Sequence, residues 1–174
     1  MDIRNENDLL NALNPILDEV VSKMADEILN ILFDFIRADV YDKYEPHMYN
    51  RTEEFLNSWI SDVERKGRRK EVIAKIYNSP RKMSLDISNH IHGSPESHDF
   101  REHLKEAIEE GLGGHYWFPK YRRDGTRNPA TIKRPFFTDT IKYLNKSGRL
   151  FKMFENEMAK HGLYVQKGKN LHWD

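Results

Sequence analysis

From Leu10 onward the apolar residues Leu13, Leu17, Val20, Met24, Ile28, Ile31, Phe35 and Val40 recur at steps of mostly three and four. This spacing draws one stripe along an α-helix. Asn14 followed by Pro15 suits an N-cap and a first helical position, and Pro46 closes the pattern near Tyr44. A helix of about 30 residues is roughly 45 Å long, against a radius of gyration of about 16 Å for a compact chain of this size. Such a helix spans or overhangs its own domain. Ile16, Val21, Leu29, Leu32 and Ile36 widen the stripe beyond a coiled-coil seam. The helix is therefore expected to be covered on two sides, by its own sheet and by a neighbouring subunit, with a single long core helix as the plainer alternative.

Beyond Pro46 the pattern shortens. Thr52 is placed to cap a brief helix reaching Ser58, and residues 59–64 and 71–77 carry strand-type side chains with partial alternation. The charged stretch 65–70 between them predicts a hairpin with a basic tip. Residues 82–87 suggest a third short strand, and 97–110 a helix with Phe100, Leu104, Ala107 and Ile108 on one face, stopped by the glycines of 111–114. Helical spacing returns over 136–144 and 148–161, Gly162 ends it, and Leu163, Tyr164 and Val165 suggest a last edge strand. The expected class is α+β: a long N-terminal helix packed on a small antiparallel sheet, with C-terminal helices and extended loops, in a single domain over 1–174.

The 116–135 segment predicts a loop of about 20 residues, longer than compact domains usually carry without a task. Trp117, Phe118 and Tyr121 lie there among Lys120, Arg122, Arg123, Arg127, Lys133 and Arg134, and Asp124-Gly125 suggests a turn at the tip of an arm. Aromatics with arginine suit a protein interface, and also a single-strand nucleic-acid site. The chain balances 28 Lys and Arg against 28 Asp and Glu, so it lacks a general basic face. That favours the protein interface, and a nucleic-acid contact would have to be local.

With 38% hydrophobic and 32% charged residues the chain is wetter than an average globular protein, which agrees with extended loops. It has no cysteine, which excludes disulfides, thiolate metal sites and cysteine nucleophiles and suits a reducing compartment. The acidic, polar start and the lack of a long apolar run predict a soluble, unexported protein without a membrane segment.

His90, His92, His98 and His103 crowd together near Asp86, Asp99 and Glu102. Their spacing matches no metal motif, and a solvated loop before a helix is the simpler reading. No serine stands in a nucleophile-elbow pattern and no glycine-rich phosphate loop occurs. Glu106, Glu109 and Glu110, and the run 64–71, read as solvated charged faces. The chain is expected to be no enzyme and to carry no cofactor and no metal.

Two short motifs carry a resemblance: Tyr49, Arg51, Thr52, Phe55, Leu56 and Ser58 after the long helix, and Arg134, Pro135, Phe136 and Phe137 at the start of the C-terminal helices. Their order resembles the neck or tail-completion proteins of long-tailed bacteriophages. Glu53 stands where that family often has glycine, and the 90–115 stretch is longer than the family core. The resemblance implies a structural virion protein of the head-to-tail connector. It implies subunits in a ring, typically a hexamer, through which DNA passes, beside portal, head-completion or tail-terminator proteins. In that setting the helix stripe and Trp117, Phe118, Tyr121, Arg122 and Arg123 are the candidate subunit contacts, with non-specific contact to DNA in the lumen. Arg51 and Thr52 would fix the turn into the sheet, with Pro135 and Phe136 anchoring the end of the loop.

Overall fold

The computed structural model describes residues 5–43, 53–67, 71–83, 100–111, 125–127 and 131–166. Helix α1 is Glu6–Ile36, 31 residues long. It starts earlier than Asn14-Pro15 suggests, because Asn5 is its cap. The Asn5 side-chain oxygen accepts the Asp8 amide at 3.0 Å, and the Asn5 carbonyl accepts the Leu9 amide at 3.2 Å. That arrangement satisfies first-turn donors that a helix otherwise leaves open. Pro15 lies inside the helix, on an exposed position, where the amide it lacks removes one helical hydrogen bond.

After Ile36 the chain widens into a π turn, Arg37–Tyr41, which the Asp42 amide closes onto the Arg37 carbonyl at 2.8 Å. The regular helix thus stops short of the expected Tyr44. Helix α2, Glu54–Asn57, is a single turn whose cap position is Glu53, in left-handed backbone at φ 56° and without a side-chain cap bond. The expected capping residue Thr52 lies outside the described residues, as does Arg51.

Strands β1, Trp59–Lys66, and β2, Glu71–Asn78, form a two-stranded antiparallel sheet. Just beyond its open end the Ser79 amide donates to the Ser58 carbonyl at 2.8 Å, and Glu64 on β1 pairs with Lys75 on β2 at 2.6 Å. The third strand expected from 82 does not begin there: Pro80–Lys82 is a 3-10 turn ending at buried Met83, and residues 84–87 lie outside the described set. Helices α3, Phe100–Glu110, α4, Phe136–Asn145, and α5, Arg149–Lys160, follow, with a 3-10 turn, Lys146–Gly148, between the last two. Among the described residues, 163–165 pair with no strand. The amides of Gly162 and Leu163 are spent closing α5, on the carbonyls of Ala159 at 2.9 Å and Met158 at 3.1 Å, and Tyr164 is left 92% exposed. The class is α+β, as the periodicities predict.

The chain packs as two compact units that interleave along the sequence. One comprises Met1–Asn30, Ser61–Ile76 and Lys142–Asp174, and its buried side chains include Val20, Ala25, Leu144, Met153 and Met158. Within it Arg65 of β1 binds the carbonyl of Asn14 at 2.7 Å and the carboxylate of Asp18, which ties the hairpin to α1. The other comprises Ile31–Ile60 and Tyr77–Ile141, with Leu32, Ile36, Leu56, Met83 and Phe136 among its core residues. Among the described residues, no helix is long and apolar enough to cross a membrane.

Candidate subunit-contact surfaces

Successive residues of an α-helix turn by about 100°, so the accessibility pattern of α1 shows which face the chain itself covers. The deepest line is Ala25, Leu32 and Ile36, each at most 1% exposed and seven and four residues apart. Of the seven stripe residues within α1, only Val20 is buried. Leu13, Leu17, Met24, Ile28, Ile31 and Phe35 are half-buried, along with Ile16, Val21 and Leu29. Glu19, Lys23, Asp26, Glu27, Asn30 and Asp34 mark the solvated side. The apolar arc is therefore wide, and its most covered line is rotated away from the stripe that the spacing picks out first.

The two short motifs meet in an aromatic cluster. Phe55, Trp59 and Phe136 contact one another edge to face, with ring centroids 5.6 Å apart for Phe55–Phe136, 6.2 Å for Phe55–Trp59 and 5.9 Å for Trp59–Phe136. Phe137 stacks on Trp59 at 5.5 Å. Phe136 and Leu56 are buried, whereas Arg134, Pro135 and Phe137 are half-buried. Ser58, fully buried, donates to the Phe55 carbonyl at 2.7 Å and accepts from the Asn78 amide group at 2.5 Å, so the end of α2 is stitched to β2. Trp59 Nε1 is buried and, among the described residues, has no hydrogen-bond partner.

Glu109 is a correction to the reading of its neighbourhood as a solvated face. Its carboxylate accepts the amides of Phe137 and Thr138, the latter at 3.3 Å, and the Thr138 hydroxyl at 2.9 Å. Helix α4 begins with Pro135-Phe136-Phe137, none of which can cap it, so its first amides need an acceptor from elsewhere. An anion at this positive helix end is favoured. That missing cap was the signal available in the sequence, but it does not say which carboxylate responds. The Arg134 amide donates to the Ile108 carbonyl at 3.0 Å, and Lys105 places its ammonium 4.3 Å from the centre of the Phe137 ring. Glu64 and Arg65, also read as solvated, are engaged by Lys75 and Asp18.

The arm residues Trp117, Phe118, Tyr121, Arg122 and Arg123 lie outside the described residues, as do His90, His92, His98, Asp86 and Asp99. His103 is exposed on α3. Among the described residues no three His, Asp or Glu side chains are grouped to hold a metal ion.

No curated protein and no solved structure matches the chain. A family model does match, over residues 5–160, from the cap of α1 to the last residue of α5. On that match the chain belongs to the YomN family, a phage-derived family of Bacillus prophage proteins.

Proposed function

We propose that this protein is a structural virion component of a tailed phage, a subunit of the head-to-tail connector or tail-completion ring, without catalytic activity. The observation that carries the reading is α1. Its 31 residues extend about 46 Å, and along that length Leu13, Leu17, Met24, Ile28, Ile31 and Phe35 remain partly exposed. A line of apolar side chains on a helix this long is suited to a neighbouring copy, and head-to-tail repetition of one such contact closes a ring. Membership of a phage-derived family supports the setting. In this reading the partners are further copies of the chain, a hexamer by the neck-protein resemblance, together with portal, head-completion or tail-terminator proteins. Assembly takes place in the host cytoplasm.

Native mass spectrometry across a concentration range, alone and with the neighbouring neck proteins, tests the proposal. A closed oligomer is expected, and the double substitution Met24→Lys, Ile31→Lys is expected to return it to a folded monomer with unchanged helical circular dichroism. A wild-type chain that stays monomeric with its neck partners present would falsify the reading.

A further inference from the structure

The junction of α4 and α5 gathers four cations on described, structured elements. Residues 142–152 hold Lys142, Lys146, Arg149 and Lys152 and no acidic residue, whereas the whole chain balances 28 Lys and Arg against 28 Asp and Glu. Lys142 and Lys146 are four apart, so they share one helix face, and Tyr143 neighbours Lys146 at three. The turn through Gly148, at φ 65°, carries the chain back so that the Arg149 guanidinium lies 3.9 Å from the centre of the Tyr143 ring. Lys152 follows one turn later on α5. The three lysines are exposed, and Tyr143 is 40% exposed.

We infer that this junction is a contact for the phosphate backbone of nucleic acid, made by Lys142, Lys146, Arg149 and Lys152 around Tyr143. Spaced cations with no interleaved acid match a repeating line of phosphates. A lysine-rich patch makes a poor centre for a protein interface, where lysine is depleted. An arginine held over a tyrosine is a rigid cationic platform, common to single-strand and duplex contacts. The inference stands independently of the ring and differs in place from the aromatic arm.

The test is fluorescence anisotropy of the full chain with a labelled 12-base-pair duplex and the matching single strand between 50 and 200 mM salt. Four phosphate contacts predict a logarithmic salt slope near −3.6 for duplex and near −2.8 for single strand, so duplex affinity falls about 150-fold over that range. Replacing all four cations by Gln is expected to abolish binding. The charge-matched control Lys23→Gln, Arg37→Gln, Arg81→Gln, Lys82→Gln is expected to retain it. Should the quadruple variant fail to fold, Lys142→Gln and Lys152→Gln singly are each expected to reduce the slope by about 0.9. The inference is overturned by absent or salt-independent binding, or by equal loss in the control. It is likewise overturned by equal competition from polyglutamate, which would indicate an acidic protein partner. Loss only on replacing Trp117, Arg122 and Arg123 would move the contact to the arm and also overturn it.

Discussion

The guanidinium of Arg65 donates a 2.7 Å hydrogen bond to the carbonyl of Asn14, the residue before Pro15, and its same nitrogen engages Asp18 one turn on. Proline removes one amide from the helix at this point, and the Asn14 side-chain oxygen is buried without a partner among the described residues. The acceptor that Pro15 leaves without its helical donor is the Asn11 carbonyl, four residues back, so Arg65 does not replace the lost bond; it fastens the hairpin to the first turns of α1 through Asn14 and Asp18. The hairpin gains in turn, since two strands alone are marginal in water.

Replacing Arg65 by Ala is expected to lower stability by about 1 kcal/mol, a value already reduced for the partial exposure of both side chains. Arg65→Lys should recover only part of it, since one ammonium nitrogen can also donate to both acceptors but lacks the fixed plane that orients the guanidinium's donors. Urea denaturation measures the loss, and hydrogen exchange should show faster opening of residues 6–14. Unchanged exchange there would mean that Arg65 does not hold the helix.

Glu109 acts as the cap that α4 lacks in its own sequence, so Glu109→Ala should cost about 1–2 kcal/mol. Glu109→Gln keeps an acceptor oxygen and loses the charge at the helix end, and its cost is expected to be smaller, about 0.3–1 kcal/mol. Because Phe137 stacks on Trp59, tryptophan fluorescence should change with the Ala variant before global unfolding. Equal effects of Ala and Gln would assign the contribution to charge alone.

Three positions with left-handed backbone separate strain from crowding. A Cβ on Gly111, at φ 74°, would come within 2.6 Å of the Thr131 carbonyl oxygen, whereas one on Gly148, at φ 65°, meets nothing within 4 Å. Gly111→Ala is expected to cost more than about 2 kcal/mol and Gly148→Ala about 1 kcal/mol, the conformational part alone. Glu53, at φ 56°, is the inverse case: Glu53→Gly should stabilise by about 0.5 kcal/mol, the relief of strain less the entropy glycine loses on folding. Thermal melts of the three variants should rank in that order.

The long helix, the hairpin over 59–77 and the two C-terminal helices follow from residue spacing, because periods of 3.6 and 2 are local consequences of backbone geometry. The absence of cysteine chemistry is equally a property of the sequence alone. The start of α1 at Asn5 was less legible: Asn5 and Asn14 are both good caps, and an exposed Pro15 is tolerated within the helix at the cost of one hydrogen bond, so local sequence does not choose between them. That Phe55 meets Phe136 across 81 residues of chain, that Glu109 rather than Glu106 or Glu110 reaches α4, and that Ala25, Leu32 and Ile36 form the covered line of α1 were decided by tertiary structure. Hydrophobic spacing states which faces want cover and where a helix lacks a cap. Which distant side chain answers depends on where the intervening chain brings it, and no local pattern encodes that.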